Sequence, residues 1–134
     1  MEKVVLDTSV VVKWFVEEKD SQKALNFLEE YRQGKLKLLA PQIVGLELAN
    51  ALFFGAGFKG KILEKALSAF YNLGITLVPL SEELVKESAV YSEKFKIAAY
   101  DALFIVVAEK EKCFLVTADK KHHQKSFSPR IKYL

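Results

Sequence analysis

Four short apolar runs divide the chain: residues 3–6, Leu36 to Ala40, Ile75 to Leu80 and Cys113 to Thr117. Each is rich in aliphatic or β-branched residues and bounded by Gly, Pro or polar residues, which predicts buried strands. Arg130 to Tyr133 predicts a further edge strand. Between the runs, apolar residues recur at helical spacing. Ser9 to about Val16 follows the first strand, with Thr8 or Ser9 as its cap. Ser21 to Arg32 carries Leu25, Leu28 and Tyr31 on one face and stops at Gly34. A helix from Pro41 to Phe54 ends at Gly55 and Gly57, and another runs from Lys61 to Leu73 before Gly74. Ser81 caps a helix to Phe95 that has acids in its first turn. Tyr100 and Asp101 open an apolar helix that reaches Glu111, and Asp119 opens a short basic one.

Strands that alternate with one or two helices imply a three-layer α/β domain with a central parallel sheet of four to five strands. No repeat, linker or low-complexity stretch interrupts residues 1–134, so a single domain is expected.

Composition narrows the class. Half of the 134 residues are apolar, which suits an ordered domain that folds without disulfide or structural metal. The longest wholly apolar run, Ala102 to Ala108, is far short of the roughly 18 residues of a membrane span. The N-terminus enters strand-like sequence directly, with no secretory signal, and the one cysteine, Cys113, has no internal partner. These features lead to the expectation of a cytoplasmic protein. The net charge of +3 is mild, but its distribution is uneven. Lys120, Lys121, Lys125, Arg130 and Lys132 follow Asp119 with no further acid, and Lys59 and Lys61 form a second basic spot. Either group could face phosphates or serve only solubility.

The acids carry more information. Thirteen are Glu and only four are Asp, namely Asp7, Asp20, Asp101 and Asp119, so Asp marks places where a short, stiff carboxylate has a purpose. Asp7 directly follows the first strand and Asp119 lies two residues past the fourth. In open parallel sheets, ligands gather outside the carboxyl ends of the strands. Each Asp could instead be a helix cap. Glu47 has Ile43, Val44, Asn50 and Ala51 as its helical neighbours, and Asp101 has Ile97, Ala98, Phe104 and Ile105. Neither has a lysine or arginine placed to pair with it along its helix. If the four acids converge, mutual repulsion raises their pKa values unless a cation neutralises them. A donor set of carboxylates without His or Cys suits Mg²⁺ or Mn²⁺ and phosphodiester hydrolysis.

Val-Leu-Asp7-Thr-Ser9, Glu47-Leu-Ala-Asn50 on a helix, Tyr-Asp101-Ala opening an apolar helix and Leu-Val-Thr117-Ala-Asp119 after a strand together resemble a PIN-domain ribonuclease. The VapC-type toxins of prokaryotic toxin–antitoxin pairs are the nearest likeness. The resemblance covers the whole chain and implies sheet order 3-2-1-4-5, with Asp7, Glu47, Asp101 and Asp119 as catalytic and metal-binding acids. It implies Ser9 and Thr117 as hydroxyls that orient those acids, with Asn50 as a helper. It further implies a Mg²⁺-dependent (or Mn²⁺-dependent) endoribonuclease with an RNA substrate, a small VapB-like antitoxin and a homodimer. Lys59, Lys61, Lys120 and Lys121 are the candidate RNA contacts. The alternatives are a housekeeping PIN nuclease of RNA processing and a PIN-like scaffold that binds RNA or protein without cutting. A phosphotransfer domain fits less well, since Thr8 and Ser9 follow Asp7 and Thr117 stands where such a site places a lysine.

Other features are read as structural. Gly55-Ala-Gly57-Phe-Lys-Gly60 matches a dinucleotide fingerprint in letters but follows a helix, so it is expected to be a loop. His122 and His123 are expected at the surface, Cys113 in the core, and Trp14, Phe15, Phe53 and Phe54 in core or dimer packing rather than base stacking.

Overall fold

In the computed structural model, which describes residues 1–134, β1 (Glu2–Leu6) is buried on both faces from Val4 onward. Its apolar residues therefore run without alternation, as in a strand enclosed by a parallel sheet. β1 lies at the centre. Val4 faces Leu38 of β2 (Leu36–Pro41) on one side and Phe114 of β4 (Phe114–Thr117) on the other. β3 (Thr76–Val78) pairs outside β2, and β5 (Ile131–Tyr133) pairs outside β4. All five strands are parallel, in order β3-β2-β1-β4-β5.

The connections place helices on both faces. α1 (Thr8–Val11) runs into a 3-10 turn, Val12–Trp14, and then α2 (Ser21–Arg32), which packs on β2. α3 (Val44–Asn50) continues as a π turn, Ala51–Gly55, and is followed by α4 (Gly60–Asn72). From β3 the chain returns across the opposite face through α5 (Glu82–Phe95) and α6 (Ala99–Glu111). α6 packs against β1, β2 and β4, with α5 against it. That position explains its composition: all seven residues from Ala102 to Ala108 are buried, so α6 is apolar all round rather than striped. Gly34 and Gly74 end α2 and α4 with φ of 73° and 71°, the left-handed conformation that a helix stop requires. Ser81 caps α5, its Oγ accepting from the Leu84 amide at 3.1 Å. Cys113 is buried, as expected.

Several boundaries differ from the sequence expectation. Pro41 ends β2 rather than opening a helix; it pairs with Val78. β1 reaches only Leu39, so Pro41 faces no ladder on that side and its missing N–H costs nothing there. The Gln42 amide makes the next bond, to Val78 O at 2.8 Å, and α3 starts at Val44. The first helix breaks into a 3-10 turn at Val12. Its cap position is Asp7, not Thr8 or Ser9, and no side chain caps it. Asp119 opens a turn rather than a basic helix; its Oδ1 accepts from the Lys121 and His122 amides at 3.2 and 3.0 Å. That is an Asx-type turn, which competes with helix propagation.

α3 and α4 approach closely at Gly45. A Cβ placed there would stand 1.9 Å from Tyr71 Oη and 2.9 Å from Tyr71 Cζ. Because the ring is rigid, the whole side chain would have to leave. Because Tyr71 is 53% exposed and can swing outwards, and because alanine favours a helix over glycine by up to about 1 kcal/mol, Gly45→Ala is expected to cost no more than about 1 kcal/mol in urea unfolding. Most of that cost should disappear in a Tyr71→Ala background. Equal costs in both backgrounds would show that Tyr71 does not press on α3.

Candidate active site

β1 is the strand at which the sheet order reverses, with β2 on one side and β4 on the other. A crevice opens at the carboxyl end of such a strand. Asp7 occupies that position. Its backbone amide extends the sheet ladder, donating to Val116 O at 3.0 Å, so β4 fixes the residue. Thr117 closes β4 alongside, and Asp119 follows two residues later. Glu47 and Asp101 arrive from α3 and α6, each in the first turn, where the helix dipole favours a negative charge.

The Asp7 side chain is almost sealed, at 6% exposure, and its Oδ2 collects the available donors. Ser9 Oγ donates to it at 2.6 Å and Thr117 Oγ1 at 3.0 Å. His123 Nδ1 stands 3.5 Å away. Ser9 also accepts from the Ala118 amide at 2.9 Å, and Thr117 from the Asp119 amide at 3.0 Å. These two hydroxyls thus lock the loop after β4 to the loop after β1. Thr8 Oγ1 donates to Glu47 Oε1 at 2.6 Å and ties α3 to the same loop.

His123 overturns the surface expectation. It is 1% exposed and packs edge-on to Phe104 of α6. Its Nε2 lies 3.0 Å from Asp101 O, which can only accept, so Nε2 carries a proton. Nδ1 then faces Asp7 and, at 3.3 Å, Thr117 Oγ1. Burial alone would lower the pKa of this imidazole, but the hydrogen bond and charge of Asp7, with help from Asp101, raise it to about 9. His123 is a buried imidazolium paired with Asp7. Burial pushes the Asp7 carboxyl up, yet the bond and charge of His123 and the two hydroxyls outweigh it and leave the pKa below the ordinary value. Two adjacent histidines share no helix face, but in a turn one can point inwards. The single available signal was the neighbourhood of Asp119.

The other acids are less well compensated. Burial raises the Glu47 pKa; Thr8 offsets part of this, and the charges of Asp7 and Asp101 add to it. Asp101, half-buried, is raised by burial and by Asp7 and Asp119 against the opposing pull of His123 and His122. Asp119 is lowered: burial is outweighed by the His122 amide, and by a hydrogen bond that its Oδ2 accepts from His122 Nδ1 at 2.7 Å. Asp7 and Asp101 therefore each sit within electrostatic reach of Glu47, of Asp119 and of one another. Asn50 is exposed and makes none of these contacts. Lys120 and Lys121 are exposed in the turn after Asp119, whereas Lys59 and Lys61 are exposed at the start of α4. Trp14 and Phe15 pack on the core. Phe53 and Phe54, expected in core or dimer packing, lie outside the core, 45% and 79% exposed on the π turn. The added residue of the π turn shifts the helical phase and carries them outwards.

No three His, Cys, Asp or Glu side chains stand close enough together to enclose an ion as they are arranged, with Glu47 held by Thr8 and Asp119 by His122. The chemistry of the set nevertheless fits a hard divalent cation. It offers four carboxylates, two of them held above their ordinary pKa by burial and by one another, and one internal cation already committed to Asp7.

A PIN-domain family model matches residues 4–128. No curated protein matches the chain by sequence. Among solved structures, VapBC2 from Rickettsia felis bound to a DNA fragment from their promoter aligns with a TM-score of 0.71 at 16% identity, covering 98% of each chain. A toxin–antitoxin complex from Klebsiella pneumoniae gives 0.67 at 14% identity, covering 96% of this chain and 95% of that one. FitAcB from Neisseria gonorrhoeae gives 0.59 at 19% identity, covering 87% and 88%. At these identities the likeness is one of fold.

The Asp7–His123 pair makes stability depend on pH. The His123 pKa is raised from 6.5 to about 9, so its contribution is complete below pH 6.5 and disappears as pH rises through about 9. The Asp7 pKa is lowered from 3.8, so its contribution is present above pH 3.8 and lost as pH falls below it. In EDTA, the urea unfolding free energy should drop by up to about 3 kcal/mol between pH 6.5 and just past pH 9. His123→Gln should lack that slope. The same slope in both proteins would rule out a buried imidazolium.

Proposed function

The chain belongs to the PIN-domain family, and from that premise we propose that it is a divalent-metal-dependent endoribonuclease, the toxin of a VapBC-type toxin–antitoxin pair. One observation carries the reading: α3, α6 and the ends of β1 and β4 deliver four acids to the switch point of the sheet, and only one buried cation balances them. That is costly for stability alone. It is useful where a doubly charged ion and a phosphodiester must meet.

Asp7, Glu47, Asp101 and Asp119 would hold Mg²⁺ or Mn²⁺. Once bound, such an ion lowers the pKa of a water and neutralises the charge that develops on phosphorus. The chain's own residues supply the orientation. Ser9 and Thr117 occupy Asp7 Oδ2 and leave Oδ1 free of protein donors. Thr8 does the same for Glu47, taking Oε1 and leaving Oε2. Each carboxylate thus turns one defined oxygen to the site. Burial raises the pKa of Glu47 and of Asp101 alike, so a carboxylate oxygen of this pair that the ion leaves free is suited to take a proton from an attacking water.

Solved toxin–antitoxin complexes share this fold, which supports the toxin assignment. Leu46, Phe53, Phe54 and Ile62, all exposed along α3, the π turn and α4, give a VapB-like antitoxin or a second copy in a homodimer an apolar surface. No helix is long and apolar enough to cross a membrane, and we place the activity in the cytoplasm.

Asp101→Asn should stay folded by circular dichroism and lose at least about 100-fold of Mg²⁺-dependent cleavage of RNA. Ser9→Ala should lose about 10- to 100-fold, the effect of removing a group that orients a metal ligand. Cleavage undiminished in EDTA would overturn the metal mechanism. If calorimetry detected neither Mg²⁺ nor Mn²⁺ binding, the chain would be a PIN-like scaffold that binds without cutting.

A further inference from the structure

An RNA strand that approaches four carboxylates is repelled unless cations guide its flanking phosphates. The structure offers such cations on one side of the site. β5 lies next to β4, and Tyr133 is the register partner of Thr117. Thr117 in turn donates to Asp7, so Tyr133 stands one strand away from the acids. Two lysines converge on its ring. Lys120 Nζ is 5.4 Å from the ring centroid and Lys125 Nζ is 4.8 Å. The Lys125 amide also donates to Tyr133 Oη at 3.2 Å, which fixes the loop that carries it. Neither lysine forms an ion pair with a carboxylate, and both are exposed.

A cleft of about 290 Å³ opens beside this ring, lined by Lys13, Lys19, Asp20, Thr117, Ala118, Lys120, Tyr133 and Leu134. Its floor cation is already satisfied: Lys13 Nζ bonds Glu18 at 3.0 Å and Lys19 O at 2.7 Å. Its one acidic side chain, Asp20, is engaged by Lys23 at 3.7 Å. Lys19 and Lys120 on the rim have no carboxylate partner. Lys59 and Lys61 have no comparable arrangement, since no aromatic ring gathers them and neither lines this cleft.

We infer that this cleft beside β5 is the lane by which single-stranded RNA reaches the acids, with Lys19 and Lys120 of its lining and Lys125 at the adjoining Tyr133 ring binding its phosphates and Tyr133 holding the last two in place. The proposal rests on the ribonuclease reading and deepens it. A cation held over a ring has already lost much of its rotamer freedom, so less is lost when a phosphate binds. A cleft of this size accepts one nucleotide-sized group, not a duplex.

The test measures binding of a fluorescein-labelled single-stranded 12-mer RNA by anisotropy. It uses the full chain carrying Asp101→Asn, so that cleavage does not interfere. Lys120→Gln with Lys125→Gln should weaken binding about tenfold or more and reduce the salt slope by about 1.4, roughly 0.7 for each phosphate contact on a single strand. Tyr133→Leu, which removes no charge, should weaken binding several-fold with little change in slope. Lys59→Gln with Lys61→Gln should stay within about twofold. The lane is overturned if the first pair binds normally, if Lys59 and Lys61 cause the larger loss, or if no form binds RNA. Should the wild-type chain in Mg²⁺ cleave no RNA while the lysine and tyrosine variants still lose binding, the ribonuclease reading fails and the lane stands. Should the wild type cleave while those variants bind and cleave normally, the lane fails and the ribonuclease reading stands.

Discussion

The ion pair between Asp7 and His123 organises this molecule. A carboxylate at 6% exposure is expensive to bury, and the centre of a parallel sheet offers it only what the adjacent loops bring. The chain meets the cost with two hydroxyls and one imidazolium on the same oxygen. Each donor comes from a different place: Ser9 from α1, Thr117 from the end of β4, His123 from the turn after it. Because His123 also donates to Asp101 O, the start of α6 is pinned to the same point. Compensation of one charge thereby fixes the segments that carry Asp101 and Asp119, while Thr8 ties α3 and its Glu47 to the same loop.

The same physics explains the unequal state of those acids. Asp7 and Asp119 each have a histidine, and their pKa values fall below the ordinary range. Glu47 has a hydroxyl close by and Asp101 feels the two histidines without bonding either through its carboxylate, so burial prevails and theirs rise. A site made only for stability would pair all four or replace them with apolar residues. Here two carboxylates are left under-compensated on opposite helices that flank a compensated one, and that imbalance is the charge the ion of the proposed function would neutralise.

The sequence disclosed whatever depends on local pattern. Uniform apolar runs gave the strands, because a doubly covered parallel strand has no polar face to interrupt it. Glu47 and Asp101 could be singled out because the helical neighbours of each lack a cation. The Ser81 cap and the glycine stops of α2 and α4 depend on one or two residues and were equally visible. What stayed hidden depends on three-dimensional neighbours. His123 is buried through Phe104 and Asp101, some twenty residues away, and its position beside a second histidine suggested a solvated turn. Thr8 appears as a partner of Glu47 only once α1 and α3 are packed together. The π turn at Ala51–Gly55, which exposes Phe53 and Phe54, leaves no clear mark in composition.

A single buried cation also reconciles folding with function. Four acids that needed a metal in order to coexist would make the fold depend on that metal, as in small metal-nucleated domains. With His123 inside, the central carboxylate is neutralised before any ion arrives, and the hydrophobic core around β1, β2 and α6 forms on apolar burial alone. The remaining negative charge faces the crevice, while unpaired lysines collect beside β5. The molecule thus separates its charges by sign across one strand: acids at the carboxyl ends of β1 and β4, bases around Tyr133. A polyanion can be held by the second group only near the first, and that proximity follows from the register of β5 on β4 rather than from any mobile element.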